Sequence, residues 1–236
     1  MDLKQQAAQK ALEYVQSGMV LGLGTGSTTA CFVDLLAEKL KLGGLVDIQG
    51  VPTSKATTAQ AIRLGIPLTS LSEHSPLDLA VDGADEVDIH LDLIKGLGKA
   101  LLREKFIEIH ARRLIIIVDE SKLVNCLGQR DALPVEIIPF EWQVSVSWLN
   151  TLGCQADLWC NDDGEPIVTD NGNYLARCWF GPRNEQGKLL GITDAHGLAR
   201  QLADRPGIVE HGLFLEMATS VIVSGSGGVR ILERSK

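Results

Sequence analysis

The chain has 236 residues, 45% of them hydrophobic, enough to bury one large α/β domain or one such domain with a smaller companion. Its formal net charge of -8, with acids and bases interspersed, excludes the basic stripe that a nucleic-acid binder presents to phosphates. No apolar run reaches the roughly 18 residues of a membrane span, and five scattered cysteines without a Cys-x-x-Cys pair suit free thiols in a reducing cytosol.

The first stretch, MDLKQQAAQKALEYV, is polar and helical, unlike a signal peptide. Apolar spacing predicts a helix over 2–15, with Leu3, Ala7, Ala11, Leu12 and Val15 on one face and Gly18 beyond its end. Strands at 19–23, 46–51, 77–82 and 113–118 alternate with helices at 29–42, 54–64 and 99–111. LIIIV (114–118) is apolar throughout, as a strand covered on both faces would be. The alternation predicts βαβ units and a mostly parallel sheet, whose ligands gather beyond the carboxyl ends of its strands. LGLGTGSTTA (21–30), DGADE (82–86) and DESK (119–122) all follow strand ends, so all three are placed to face one crevice.

After Gly128 the texture changes. LPVEIIPF (133–140) reads as an edge strand bounded by prolines. A helix over 141–152 follows, then hairpin-like material with the turn pair Asn171-Gly172, and a helix near 194–203. IVEHGLF and SVIVSGSGGVRIL bring the chain back to its first domain. The expected organisation is a catalytic domain over 1–128 and 205–236, and a smaller α+β domain over 129–204.

Gly22, Gly24 and Gly26 do not make a dinucleotide fingerprint. Ser27 stands where the third glycine is needed, and the second strand ends in Val51-Pro52-Thr53-Ser54 with no acid for ribose hydroxyls. No Walker lysine precedes the hydroxyls either. Backbone N–H groups and three hydroxyls at a helix start remain, which suit one phosphate monoester; the bland alternative is that Ser27 or Thr28 caps the helix.

Asp82, Asp85 and Glu86 fit an ordinary acidic turn or a set of hydrogen-bonding acids at the ligand face. His74, His90 and His110 lack ligand spacing to them, so no metal is expected. Lys95 and Lys122 are surface lysines when taken singly, and together a set of cationic contacts for a phosphate and an oxyanion. The helix carrying Glu104 has Leu101, Leu102, Phe106 and Ile109 as its apolar stripe, which makes Glu104 a solvated residue and Glu108–Arg112 a surface pair. His196 and His211 stand alone, and no Gly-x-Ser-x-Gly elbow occurs.

Four segments in order, GLGTGST (22–28), VDGADEV (81–87), IKGLGKALLREK (94–105) and VDESKLV (118–124), resemble the type A family of ribose-5-phosphate isomerases. LPVEIIP (133–139), VTDNGN (168–173) and PGIVEHGLF (206–214) extend the likeness over nearly the whole chain. The resemblance implies a Rossmann-like α/β domain with a mostly parallel sheet and a second, smaller ferredoxin-like α+β domain. It implies a cytoplasmic homodimer or homotetramer acting on a small-molecule sugar phosphate, with no nucleic acid or membrane as partner. The implied reaction interconverts ribose 5-phosphate and ribulose 5-phosphate through an enediol(ate), with no cofactor and no metal.

Carried over by position, the resemblance makes Glu104 the base, Asp82 and Asp85 the site acids and Lys95 the active-site lysine. Thr25, Gly26, Ser27, Thr28, Gly83, Ala84, Gly96, Leu97, Gly98 and Lys122 become substrate contacts, with Lys4 a further phosphate lysine. Two features depart from the family pattern. Gly96-Leu97-Gly98-Lys99 replaces an all-glycine run, and RCWFGPRNEQG (177–187) has no counterpart. The rival readings are a non-catalytic sugar-phosphate sensor, or a related acyl-CoA transferase or sugar-phosphate deaminase. A sensor is expected to place a DNA-binding module before the first strand, and the two enzymes to lack the paired DGADE and KGLG…REK segments.

Overall fold

A computed structural model describes residues 2–181 and 189–234. In chain order the elements begin with α1 (Leu3–Leu12), β1 (Val20–Leu23), α2 (Ser27–Lys41), β2 (Gln49–Pro52), α3 (Lys55–Leu64) and β3 (Leu79–Asp82). Next come β4 (Glu86–Val87), β5 (Leu93–Ile94), α4 (Leu101–Glu108), β6 (Leu114–Asp119) and β7 (Leu133–Ile137). They are followed by α5 (Trp142–Leu149), β8 (Cys154–Leu158), β9 (Tyr174–Phe180) and α6 (Ala195–Ala203). The last four are β10 (Ile208–His211), β11 (Leu213–Phe214), β12 (Ser220–Gly225) and β13 (Gly228–Glu233).

The chain divides into two compact units. The first is Met1–Ala84, Arg103–Lys122 and Met217–Lys236; the second is Asp85–Leu102 and Leu123–Glu216. Residues 85–102 thus group with the second unit, because β4 and β5 pair with each other and with β11.

In the first unit a six-stranded sheet runs β13-β12-β6-β3-β1-β2, parallel except for the β12–β13 hairpin. The mostly parallel sheet read from the alternating pattern is there. Helices α1 and α2 bury Ala7, Ala11, Phe32, Val33 and Leu36 in one cluster with Leu21, Leu23, Leu79, Val81, Ile115 and Ile117. Each large side chain so buried contributes about 1.5–3 kcal/mol. Since β6, β3 and β1 are neighbours and parallel, the loops after them leave the sheet at one shared carboxyl edge.

In the second unit a four-stranded antiparallel sheet, β10-β7-β9-β8, is packed by α5 and α6 through Leu149, Leu198 and Leu202. A three-stranded sheet, β11-β5-β4, stands beside it in the same unit. Here the expectation of an edge strand at 133–140 is corrected, for β7 is an interior strand buried at all five positions. Pro134 is tolerated because a strand residue points its N and C=O to the same side, and its carbonyl faces Gly212, beyond the last β10 pair, His211↔Val135. No ladder partner there asks for the missing N–H.

Of the unmatched stretch 177–187, residues 182–187 lie outside the described residues. Among the described residues no helix is long and apolar enough to cross a membrane.

Candidate active site

In the first unit the glycine loop links β1 to α2, and its local geometry needs glycine twice. Gly26 is the helix N-cap with φ 123°, a region side chains rarely enter. It has no side chain to cap with, so neither Ser27 nor Thr28 holds the capping position. Gly24 packs so close to Asp82 that a Cβ would overlap that carboxyl group.

Asp82 ends β3 and is fully buried. Its Oδ1 accepts from Gly83 N at 2.7 Å, Thr25 N at 2.9 Å and Thr29 Oγ1 at 3.1 Å. The acid therefore pins the glycine loop and the start of its own turn together. At the mouth of α2, Lys4 Nζ donates to Ser27 Oγ at 2.9 Å, which puts an ammonium where a helix start already carries partial positive charge. Lys122 closes a 3-10 turn, Glu120–Lys122, after β6 at the same carboxyl edge and is partly exposed. Ala84 is half-buried in the turn after β3.

The hydroxyl of Thr25 is engaged within the protein. It meets Thr53 Oγ1 at 2.7 Å, Ser54 Oγ at 2.8 Å and Thr57 Oγ1 at 3.2 Å, while Thr57 donates to Gly24 O at 2.8 Å. Ser54 also caps α3 by accepting from Thr57 N at 3.0 Å. This four-hydroxyl knot joins the loop after β1 to the start of α3. Sequence reasoning missed Thr53, Ser54 and Thr57, having read that strand end only for a missing acid.

The helix bearing Glu104 is rotated from its predicted orientation, with Leu101 buried as expected but the later part of the stripe turned outward. Glu104 and Glu108 are both 3% exposed, whereas Phe106 is 58% and Ile109 60% exposed. The apolar stripe thus fails at Phe106 and Ile109, and Glu104 is buried rather than solvated. The cause is packing through Ile107, which sits over the small residues Gly22 and Ala80 and clusters with Val51 and Leu77. Glu108 does not pair on the surface with Arg112, which instead binds Asp78 at 3.0 Å.

The second unit holds the other predicted residues. β4 and β5 pair through Glu86↔Ile94 and Val87↔Leu93, and Asp85 N donates to Ile94 O at 2.8 Å beside that pair. Asp85 Oδ2 accepts from Leu97 N at 2.9 Å, which commits that backbone amide within the protein. Lys95 is buried, with Nζ 5.3 Å from the Phe214 ring centroid. Gly96 has φ 114°, and Lys99 N donates back to Gly96 O at 2.9 Å, closing the turn that contains Gly98. Lys99, whose effect the sequence left open, lies over the Trp159 indole at 5.6 Å.

Glu86, the third acid of the motif, has a structural task. Its carboxylate accepts from Gly128 N at 2.5 Å, Arg130 N at 2.7 Å and Asp131 N at 3.0 Å. Burial pushes its pKa up, against the lowering pull of those three amides. No cluster of three or more His, Cys, Asp or Glu able to hold a metal ion occurs among the described residues.

The family model described as "Ribose 5-phosphate isomerase A (phosphoriboisomerase A)" matches residues 49–228. Ribose-5-phosphate isomerase A of Synechococcus sp. (strain JA-3-3Ab) is 49% identical over 99% of this chain and 98% of that protein. A solved D-ribose-5-phosphate isomerase in complex with phospho-erythronic acid is 43% identical, with TM-score 0.92 over 99% of this chain and 100% of that one. The ribose 5-phosphate isomerase of Plasmodium falciparum is 38% identical, with TM-score 0.92 over 99% of each chain.

Proposed function

The chain belongs to the ribose 5-phosphate isomerase A family, and from that premise we propose that it interconverts D-ribose 5-phosphate and D-ribulose 5-phosphate through an enediol(ate). The observation that carries the reading is the Lys4 ammonium bonded to Ser27 at the start of α2, a ready seat for a phosphate. Ser27, Thr28 and Lys122 complete that seat. Binding energy from this unreactive end of the sugar orients C1 and C2.

Moving a carbonyl between C1 and C2 needs a base for the proton on one carbon and a donor for the oxyanion that forms. Glu104 takes the C2 proton of the aldose and returns it to C1, shielded from bulk water by its burial. The Lys95 ammonium stabilises the developing negative oxygen, a role worth a few kcal/mol per donor. Asp82 and Asp85 hold sugar hydroxyls and assist ring opening. The phospho-erythronic acid held by the 43%-identical relative joins a phosphate to a carboxylic acid, the same pair of charges these groups suit. Exposed Phe106 and Ile109 support a homodimer or homotetramer, which sedimentation would measure.

The test is incubation with ribose 5-phosphate in heavy water. The expected product is ribulose 5-phosphate carrying solvent deuterium at C1. Absence of conversion would overturn the activity, and deuterium at C1 would establish proton transfer through a base that exchanges with solvent, which a hydride shift cannot give.

A further inference from the structure

The two lysines of the proposed phosphate seat stand at the ends of their elements. Lys4 lies in the first turn of α1, where Asp2 at the N-cap makes no side-chain capping bond. Lys122 closes the three-residue 3-10 turn Glu120–Lys122. Both segments meet the turn of the β12–β13 hairpin. β12 runs parallel to β6 with Ser224 opposite Asp119, so that turn leaves the sheet at the carboxyl edge of β6. Ser224 is fully buried, and its hydroxyl donates to Leu3 O at 2.7 Å, with Val118 O farther away at 3.4 Å. Leu3 O belongs to the planar peptide unit that ends at the Cα of Lys4, so this bond fixes the plane from which the lysine side chain departs. From there Lys4 Nζ reaches Ser27 Oγ at 2.9 Å. On the other flank Ser226 N donates to Glu120 Oε1 at 3.2 Å, and Glu120 Oε2 fills the space that a Cβ on Gly225 would need.

We propose that residues 224–226 are a positioning device for the phosphate seat, Ser224 aiming Lys4 and the Gly225–Ser226 backbone aiming Lys122 through Glu120. The proposal rests on the seat of Lys4, Ser27 and Lys122 in the reaction read above. A lysine meets phosphate as a point charge on a flexible four-carbon stem, and holding that stem still costs entropy when the anion arrives. Tying down the main chain at the root of each stem meets part of that cost during folding. One hairpin thus sets the spacing of two ammonium groups that lie far apart in the chain, and it does so without touching the sugar phosphate.

The experiment measures kcat, KM for ribose 5-phosphate and the competitive inhibition constant of inorganic phosphate. The variants are Ser224→Ala, Gly225→Ala, Lys4→Ala, Lys122→Ala, and the doubles that join Ser224→Ala to Lys4→Ala and Gly225→Ala to Lys122→Ala. Losing one hydrogen bond changes an equilibrium constant by about 3–10-fold, so each hairpin variant should raise KM and the phosphate constant together by about that factor. The kcat should stay within about twofold, a split that a merely weakened fold would not give. In each double the hairpin change should add nothing to the loss from the lysine, because the side chain it aims is gone. Gly225→Ala displaces only the end of the exposed Glu120 side chain, so it decides the proposal even where Ser224→Ala does not fold. Hairpin variants with unchanged KM and phosphate constants, or with effects that persist in full without the lysines, would overturn the positioning role while the two lysine variants still report the seat. Unchanged constants in both lysine variants would overturn the seat itself, and the proposal with it.

Discussion

Gly24→Ala tests how the glycine loop is held. The added methyl would overlap Cγ and Oδ1 of Asp82, and Gly24 is fixed from the other side by its N–H bond to Val81 O at 3.0 Å. The carboxylate has to turn away from Gly83 N, Thr25 N and Thr29 Oγ1. A hydrogen bond to a charged acceptor contributes about 1.5–3 kcal/mol, so losing one or two of the three costs about 3 kcal/mol. At about 2–4 °C per kcal/mol for a protein of this size, the unfolding midpoint should fall by about 6–12 °C. Turnover of ribose 5-phosphate should fall at least about 100-fold, since the displaced acid leaves its place in the proposed site. Calorimetry and a coupled assay on one preparation give both numbers. A variant with an unchanged midpoint and turnover within about twofold of the parent would refute the argument that Asp82 locks this loop.

Glu104→Gln keeps shape but removes the proposed base, so kcat should drop by about 100-fold or more with KM little changed; steady-state kinetics check it. Ser27→Ala and Lys4→Ala should raise KM for ribose 5-phosphate more than they lower kcat, and a normal KM in both would move the phosphate elsewhere. Glu86→Gln turns an amide NH2 toward at least one of three backbone N–H donors, and should cost about 2–4 kcal/mol in denaturant titrations. Since burial raises the folded-state pKa of Glu86, its contribution to stability is largest below the ordinary glutamate range and is lost as pH rises through the raised value. The cost of the Gln substitution should therefore shrink from acid to neutral pH; a cost that grew would contradict the burial argument.

The βαβ alternation was legible because strand and helix periods differ and glycines punctuate them, and the carboxyl edge followed from parallel pairing alone. The orientation of α4 was not legible. Periodicity assigns the larger apolar side chains to the inside, but here Gly22 and Ala80 leave a groove that Ile107 fills, and this turns Glu104 inward with it. The knot of Thr25, Thr53, Ser54 and Thr57 depends on two loops far apart in the chain meeting in space, which no local pattern encodes. Residue pattern alone left Asp82, Asp85 and Glu86 as one acidic cluster, and the resemblance set only Asp82 and Asp85 in the site; the 128–131 amides reveal that Glu86 is a latch. Pro134 misled for a related reason, since an interior strand accepts a proline where its neighbour has already ended.

A helix that turns its acids inward and its phenylalanine outward is held by few apolar anchors. Ile107 is one of them, so trimming it would let the proposed base drift although no charged atom had been touched. Lesions in such hydrocarbon anchors would then masquerade as catalytic defects, and the enzyme's fidelity of aim would be inherited through methyl groups as much as through the carboxylate.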